Sequence, residues 1–135
     1  MKHEVVLRWI RKADNDLRAA EYLLKAEEPL TDIISFHCQQ AVEKYLKAYL
    51  TSVDARVKRT HDLEVILNQC IEKDREFEEL DSDKISRLSF YAVGIRYPEE
   101  YFELSAEEVE ELFETAVRVR EFVMKKLKER GILSE

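Results

Sequence analysis

Glycine and proline are nearly missing from this chain of 135 residues, with two of each. An all-β chain needs such residues at its many turns, so the scarcity argues against a sheet protein. Cysteine is equally rare. Cys38 and Cys70 lie far apart and match no CxxC or HxxxH spacing, so neither a disulfide framework nor a zinc site is indicated. Both read as small buried thiols. Long apolar runs are absent too: the longest stretch without Asp, Glu, Lys or Arg is Ile33–Val42, about half of what a bilayer-spanning helix requires. The opening MKHEVVLRWIRKADND has charges where a secretory signal keeps its apolar centre, so the expected location is cytoplasmic. Two Asn and three Gln among abundant Glu and Lys hint at a thermophilic source.

What the chain does contain suits helices: 45% hydrophobic and 38% charged residues. The length fits one domain, 1–135, able to bury roughly two thirds of its unfolded surface. The expected fold class is all-α. Net charge is −7, divided unevenly: residues 1–61 carry 11 basic and 9 acidic side chains, residues 62–135 carry 11 and 20. That excess of acid disfavours extended duplex binding, which depends on many Lys and Arg at phosphates. The densest basic patch is Arg56, Lys58 and Arg59.

Five segments show a helical period. Val6, Ile10, Ala13, Leu17, Ala20 and Leu24 recur at steps of four and three, predicting a first helix that ends near Glu27, ahead of Pro29. From Thr31 to Ser52 two adjacent stripes, Ile34–Cys38–Ala41–Tyr45–Ala48 and Val42–Leu46–Tyr49–Val53, predict a second helix with two neighbours or a second subunit. Thr60 is placed to cap a third helix built on Leu63, Ile66, Leu67, Cys70 and Ile71. An acidic connector, Glu72–Asp83, leads to a fourth marked by Ile85, Leu88, Ala92 and Ile95, which Pro98 ends at Arg96–Tyr97. Ser105 and Glu108 form a capping-box pair for the fifth, whose stripe runs from Val109 to Leu127 and which Gly131 stops. An antiparallel up-and-down bundle of about five helices is the expected architecture.

Most charges fall into acid-then-base pairs at i,i+4, among them Asp14–Arg18, Glu43–Lys47 and Glu114–Arg118, which read as solvated helix faces. The carboxylates lack the Glu plus Glu-x-x-His pattern of a di-iron bundle, so no metal and no cofactor are expected. No glycine-rich phosphate loop, GxSxG or nucleophile motif is present. Three groups stand out. His37, Gln40 and Lys44, at i, i+3 and i+7, project in one direction and suit a phosphorylated or nucleotide-like ligand, although an exposed face or a hydrogen-bonded partial core is the plainer reading. Arg59 and His61 flank the start of the third helix, where free amides and the dipole can hold an anion, although a capping histidine is the plainer reading. Arg96 and Tyr97 combine a phosphate clamp with a stacking ring, or else a C-terminal cap with a packing aromatic.

Taken together, the amphipathic first helix, FHCQQAVEKYLKAYL (Phe36–Leu50), THDL (Thr60–Leu63) and RYP (Arg96–Pro98) resemble the HEPN domain family, in its minimal single-domain prokaryotic form. The similarity covers nearly the whole chain. It implies a helical bundle, frequent homodimers, and association with a minimal nucleotidyltransferase in a toxin-antitoxin-like pair. It also implies one of two activities: nucleotide or RNA binding, or metal-independent RNA cleavage. Cleaving members use an Arg followed, after four to six residues, by a His. Arg96 takes the place of that Arg, but Tyr101, Phe102 and Glu103 stand where the His should be. Arg56 and His61 satisfy the spacing in the wrong place, ahead of the third helix, so the match is coincidental. The resemblance therefore implies a noncatalytic binding module. An RNA-cleaving toxin with a rearranged site using His61 or His37 is the alternative, and a purely structural helical oligomer is a third reading.

Overall fold

Every other helix packs on one central helix, and the reason lies in that helix's two apolar stripes. The computed structural model describes residues 2–96 and 103–133, with side chains through Tyr91 and again from Glu103. Within them run α1 (Lys2–Leu24), α2 (Thr31–Ser52), α3 (Leu63–Lys73), α4 (Ser82–Arg96) and α5 (Ala106–Glu129), with a 3-10 turn at Arg75–Glu79. Among the described residues there is no strand. The all-α bundle read from composition and periodicity is the observed fold.

α2 touches α1, α3, α4 and α5. Both of its stripes are buried, from Ile34 to Ala48 on one side and Val42, Leu46 and Tyr49 on the other. The wide apolar arc is thus covered by helices of the same chain and supplies no argument for a second subunit. Fully burying a Leu, Ile or Phe contributes about 1.5–3 kcal/mol each, and Ile34, Leu46, Leu50, Ile66, Leu88 and Leu127 are all at or below 2% exposure.

α1 lies antiparallel to α2: Lys2 reaches Asp54, Trp9 lies under Lys47, and Asp16 meets His37. α1 ends at Leu24, short of the expected Glu27. Its last amides, Lys25 and Ala26, tighten into i−3 bonds to Tyr22 and Leu23 before Pro29. α5 runs alongside α2 in the same direction, with Arg120 near Tyr45's partner Asp14 and Arg130 donating to Ser52 O at 3.3 Å. Its capping box is made as expected by Ser105 and Glu108. Gly131, at φ +75, turns the chain out of α5, with Ile132 N–H back to Leu127 O at 2.9 Å.

The connection between α2 and α3 decides where the polar residues meet. Asp54, at φ 58, reverses the chain, with Ala55 N–H donating to Leu50 O at 3.0 Å. Residues 55–61 then climb back beside α2, so that Thr60 O accepts from Lys47 and His61 O from Gln39. α3 consequently sets off again in the direction of α2, bringing Cys70 Sγ to 3.7 Å from Leu46 O. Its cap is Asp62, not Thr60 as expected. Asp62 Oδ1 accepts Glu64 N–H at 3.0 Å, while Thr60 Oγ1 accepts Asp62 N–H one step earlier. The acidic connector is structured as well: Phe77 is buried between Tyr49 and Phe122, with ring centroids at 4.5 and 4.8 Å.

Candidate functional site

Three carboxylates collect the polar residues of the bundle. On α1, Asp16 receives His37 Nδ1 at 2.9 Å through one oxygen and the Lys44 ammonium through the other. One helical half-turn away, Asp14 accepts from the Tyr45 hydroxyl and from Arg120 Nε of α5 at 2.9 Å. Burial and the Asp14 carboxylate push the Tyr45 phenol up, and the same carboxylate raises Arg120. Tyr45 thus stays a neutral donor and Arg120 a fixed cation.

The third carboxylate is Glu43, only 4% exposed, facing Lys47 at 7%. Lys47 Nζ is 2.9 Å from Glu43 Oε2 and also donates to Thr60 O at 3.1 Å, lying 5.8 Å from the Trp9 ring centroid. Gln39 Nε2 donates to Glu43 Oε1 at 3.2 Å and to His61 O at 3.1 Å, and Gln40 Nε2 donates to Gln39 Oε1 at 2.7 Å. Burial disfavours the Glu43 carboxylate, but hydrogen bonds from Lys47, His61 and Gln39 with the Lys47 charge outweigh it and hold the carboxyl below its ordinary value. The reading of Glu43–Lys47 as a solvated surface pair is corrected here. Asp14–Arg18 is corrected likewise, since Asp14 turns inward to Tyr45 and Arg120.

His61 crowns this network. Its Nδ1 is 3.0 Å from Glu43 Oε1, yet the side chain is 62% exposed. A carboxylate at Nδ1 selects the tautomer with the proton there, which leaves Nε2 to act as acceptor toward solvent, or as donor once the ring is protonated. The amides expected to be free beside it are not. Leu63 N–H donates to Ser89 Oγ at 3.0 Å and Glu64 N–H to Asp62, and the Asp62 carboxylate at that end repels an anion.

The sequence-derived candidates therefore separate. His37 and Lys44 converge on Asp16, which neutralises the Lys44 charge inside the protein. Gln40 joins the Gln39–Glu43–His61 network. Arg59 stands exposed on the returning loop. The Arg96 side chain and Tyr97 lie outside the described residues. Asp16, Glu43, Gln39 and Lys47 were missed: their partners are 13 to 28 positions distant, or sit inside an i,i+4 pattern that looks like surface.

The loop before α3 and the last turns of α3 line a groove of about 730 Å³. Arg56, Lys58, Arg59 and Lys73 line it against one carboxylate, Glu72. Among the described residues none of these four cations is ion-paired. Gln69 closes the groove, its Nε2 donating to Arg56 O at 3.0 Å while its Oε1 is buried without a partner. A volume of this order accommodates a nucleotide. Neither thiol is near reactive: burial pushes Cys38 up to about 12 and Cys70 up as well. Among the described residues no three His, Cys, Asp or Glu side chains gather to hold a metal ion, and no helix is long and apolar enough to cross a membrane.

Comparison with curated proteins gives no match. Comparison with protein families matches residues 6–127 to the HEPN domain. That match reaches every helix of the bundle and leaves out only the ends of the chain, so the protein belongs to the HEPN domain family, which ties it to nucleotide- and RNA-related function.

Proposed function

We propose that this chain is a noncatalytic HEPN module that binds the phosphates of a nucleotide or RNA segment through the loop 56–59, as a homodimer and in company with a minimal nucleotidyltransferase. One observation carries the binding half: four cations without an ion-pair partner among the described residues face a nucleotide-sized groove in a protein whose net charge is −7. Arg56 and Arg59 suit bidentate phosphate contacts, and Lys58 and Lys73 add point charge. The dimer and the nucleotidyltransferase rest on the family resemblance, and Arg96 and Tyr97 remain proposed contacts from the sequence alone. Calorimetric titration with ATP, GTP and a short single-stranded RNA tests the binding half. Saturable binding is expected, weakened about fivefold by Arg59→Ala at 0.1 M salt, as for one lost phosphate contact. Absence of heat at millimolar ligand contradicts it.

A second reading is favoured by one feature, the Glu43–His61 dyad with an exposed ring. Such an imidazole is oriented for acid-base work on an RNA 2′-hydroxyl or leaving oxygen. Incubating the protein with structured RNA in EDTA separates the two readings. Intact RNA is expected; cleavage abolished by His61→Ala would establish the nuclease instead.

A further inference from the structure

A second groove lies between the start of α4 and the middle of α5, has a volume of about 660 Å³, and shares no residue with the basic one. Its floor is apolar. Leu80, Ile85 and Val119 are buried there, and Phe113 and Val117 are half-buried. Both rims are acidic, with Glu79 and Asp81 on one side and Glu111 and Glu114 on the other.

Lys84 and Arg118 are the lining cations, two against four carboxylates, so the groove keeps a negative excess. Among the described residues Glu79, Glu111 and Glu114 form no ion pair, and Arg118 leaves its i,i+4 neighbour Glu114 unpaired. Asp81 uses one oxygen to accept the Lys84 backbone N–H at 3.1 Å. Like charges on opposite rims raise the negative potential between them, and an apolar floor beneath strengthens the field by excluding water.

We infer that this groove is a docking surface for a basic amphipathic helix of a partner protein. Such a helix lays an apolar i, i+3, i+4 stripe on Leu80, Phe113 and Val117 while its Lys or Arg meet the lining carboxylates Glu79, Glu111 and Glu114. From Glu111 to Val119 the α5 wall is about 12 Å long, a little over two turns of an occupant. Charge complementarity favours a foreign helix over a second copy. The basic outer face of α1 offers Arg8, Arg11 and Arg18, but the apolar stripe that should accompany them, Val6, Ile10 and Ala13, is buried in its own core. The inference does not depend on the RNA site, and the test keeps them apart.

The test is fluorescence anisotropy of a labelled 14-residue Leu/Lys amphipathic helix titrated with the full chain. Saturable binding is expected, at least tenfold weaker for the same composition scrambled to destroy the apolar stripe, and at least tenfold weaker for Glu111→Lys/Glu114→Lys. Both glutamates are exposed, and an unchanged circular dichroism spectrum verifies the fold. Val117→Lys, on the floor, is expected to weaken binding independently. Arg56→Ala/Lys58→Ala/Arg59→Ala is expected to leave the peptide affinity intact. Equal affinity for the scrambled peptide, or binding unmoved by the double glutamate change, overturns the inference. So does self-association of the wild-type chain in sedimentation that Glu111→Lys/Glu114→Lys abolishes, since that assigns the groove to a second copy.

Discussion

Replacing Glu43 with Ala lowers the unfolding free energy by about 3–5 kcal/mol, because removing one partner of a buried pair strands the other charge. Lys47, 7% exposed, then keeps only Thr60 O and the Trp9 ring, while Gln39 and His61 lose their shared acceptor. For a chain of this length the loss corresponds to about 10–18 °C in midpoint. Glu43→Gln is milder, since the amide oxygen still accepts from Gln39 or His61. Lys47→Met combined with Glu43→Gln recovers part of the loss, because no uncompensated charge remains buried. Urea unfolding of the four proteins measures the series, and equal stability of Glu43→Ala and wild type contradicts the network.

The same residue sets an acid limit. The folded protein holds the Glu43 carboxyl below its ordinary value and the unfolded chain does not. Its stabilisation is therefore complete above about pH 4.3 and disappears as the pH falls through the lower folded value. Asp74 behaves alike, its carboxyl held down by Lys126. Lys126, itself 6% exposed, is held up by Asp74 and Glu76 despite its burial. The two carboxylates anchor opposite ends of α3, Glu43 the loop before it and Asp74 the connector after it. Acid unfolding should lose both anchors over one range below pH 4.3, and Glu43→Gln should flatten the first of them.

The second large effect is on binding. Arg56→Ala/Lys58→Ala/Arg59→Ala lowers affinity for single-stranded RNA about 100-fold at 0.1 M salt, since each lost phosphate contact forfeits about 0.7 of a decade there. The dependence of log affinity on log salt falls in slope by about 2 for the same reason. All three side chains are exposed and, among the described residues, without an ion-pair partner, so stability stays within about 0.5 kcal/mol per substitution. Anisotropy titrations of labelled RNA between 0.05 and 0.2 M salt (roughly the range over which such contacts are resolved) give both quantities. An unchanged salt slope places the RNA elsewhere on the protein.

Periodicity made the helices legible because apolar side chains at steps of three and four have only one way to be buried together. The α5 stripe from Val109 to Leu127 and the Ser105–Glu108 cap follow that rule without exception. The polar interior was not legible, for a geometric reason. α2 is apolar on two stripes, which leaves a narrow polar strip, and on a helix packed by four neighbours even that strip faces protein. Glu43 and Lys47 have the spacing of an exposed pair, and only the returning loop, laid over them by the turn at Asp54, makes them buried. The Asp16–His37–Lys44 cluster escaped for a related reason. The histidine and lysine share a face readable from spacing, but the carboxylate opposite belongs to α1, and nothing local marks which of its acids turns inward. The basic loop was legible as a charge cluster. Its groove was not, because Lys73 and Gln69 arrive from α3.

The most direct test of a binding module that does not cut its ligand combines two readings of one sample. Labelled single-stranded RNA is titrated with the wild-type chain in EDTA, and the RNA recovered at saturation is run on a denaturing gel. Saturable binding with full-length RNA recovered is the predicted result. RNA that stays free at millimolar protein, or is recovered as fragments from the wild type but intact from His61→Ala, contradicts the account.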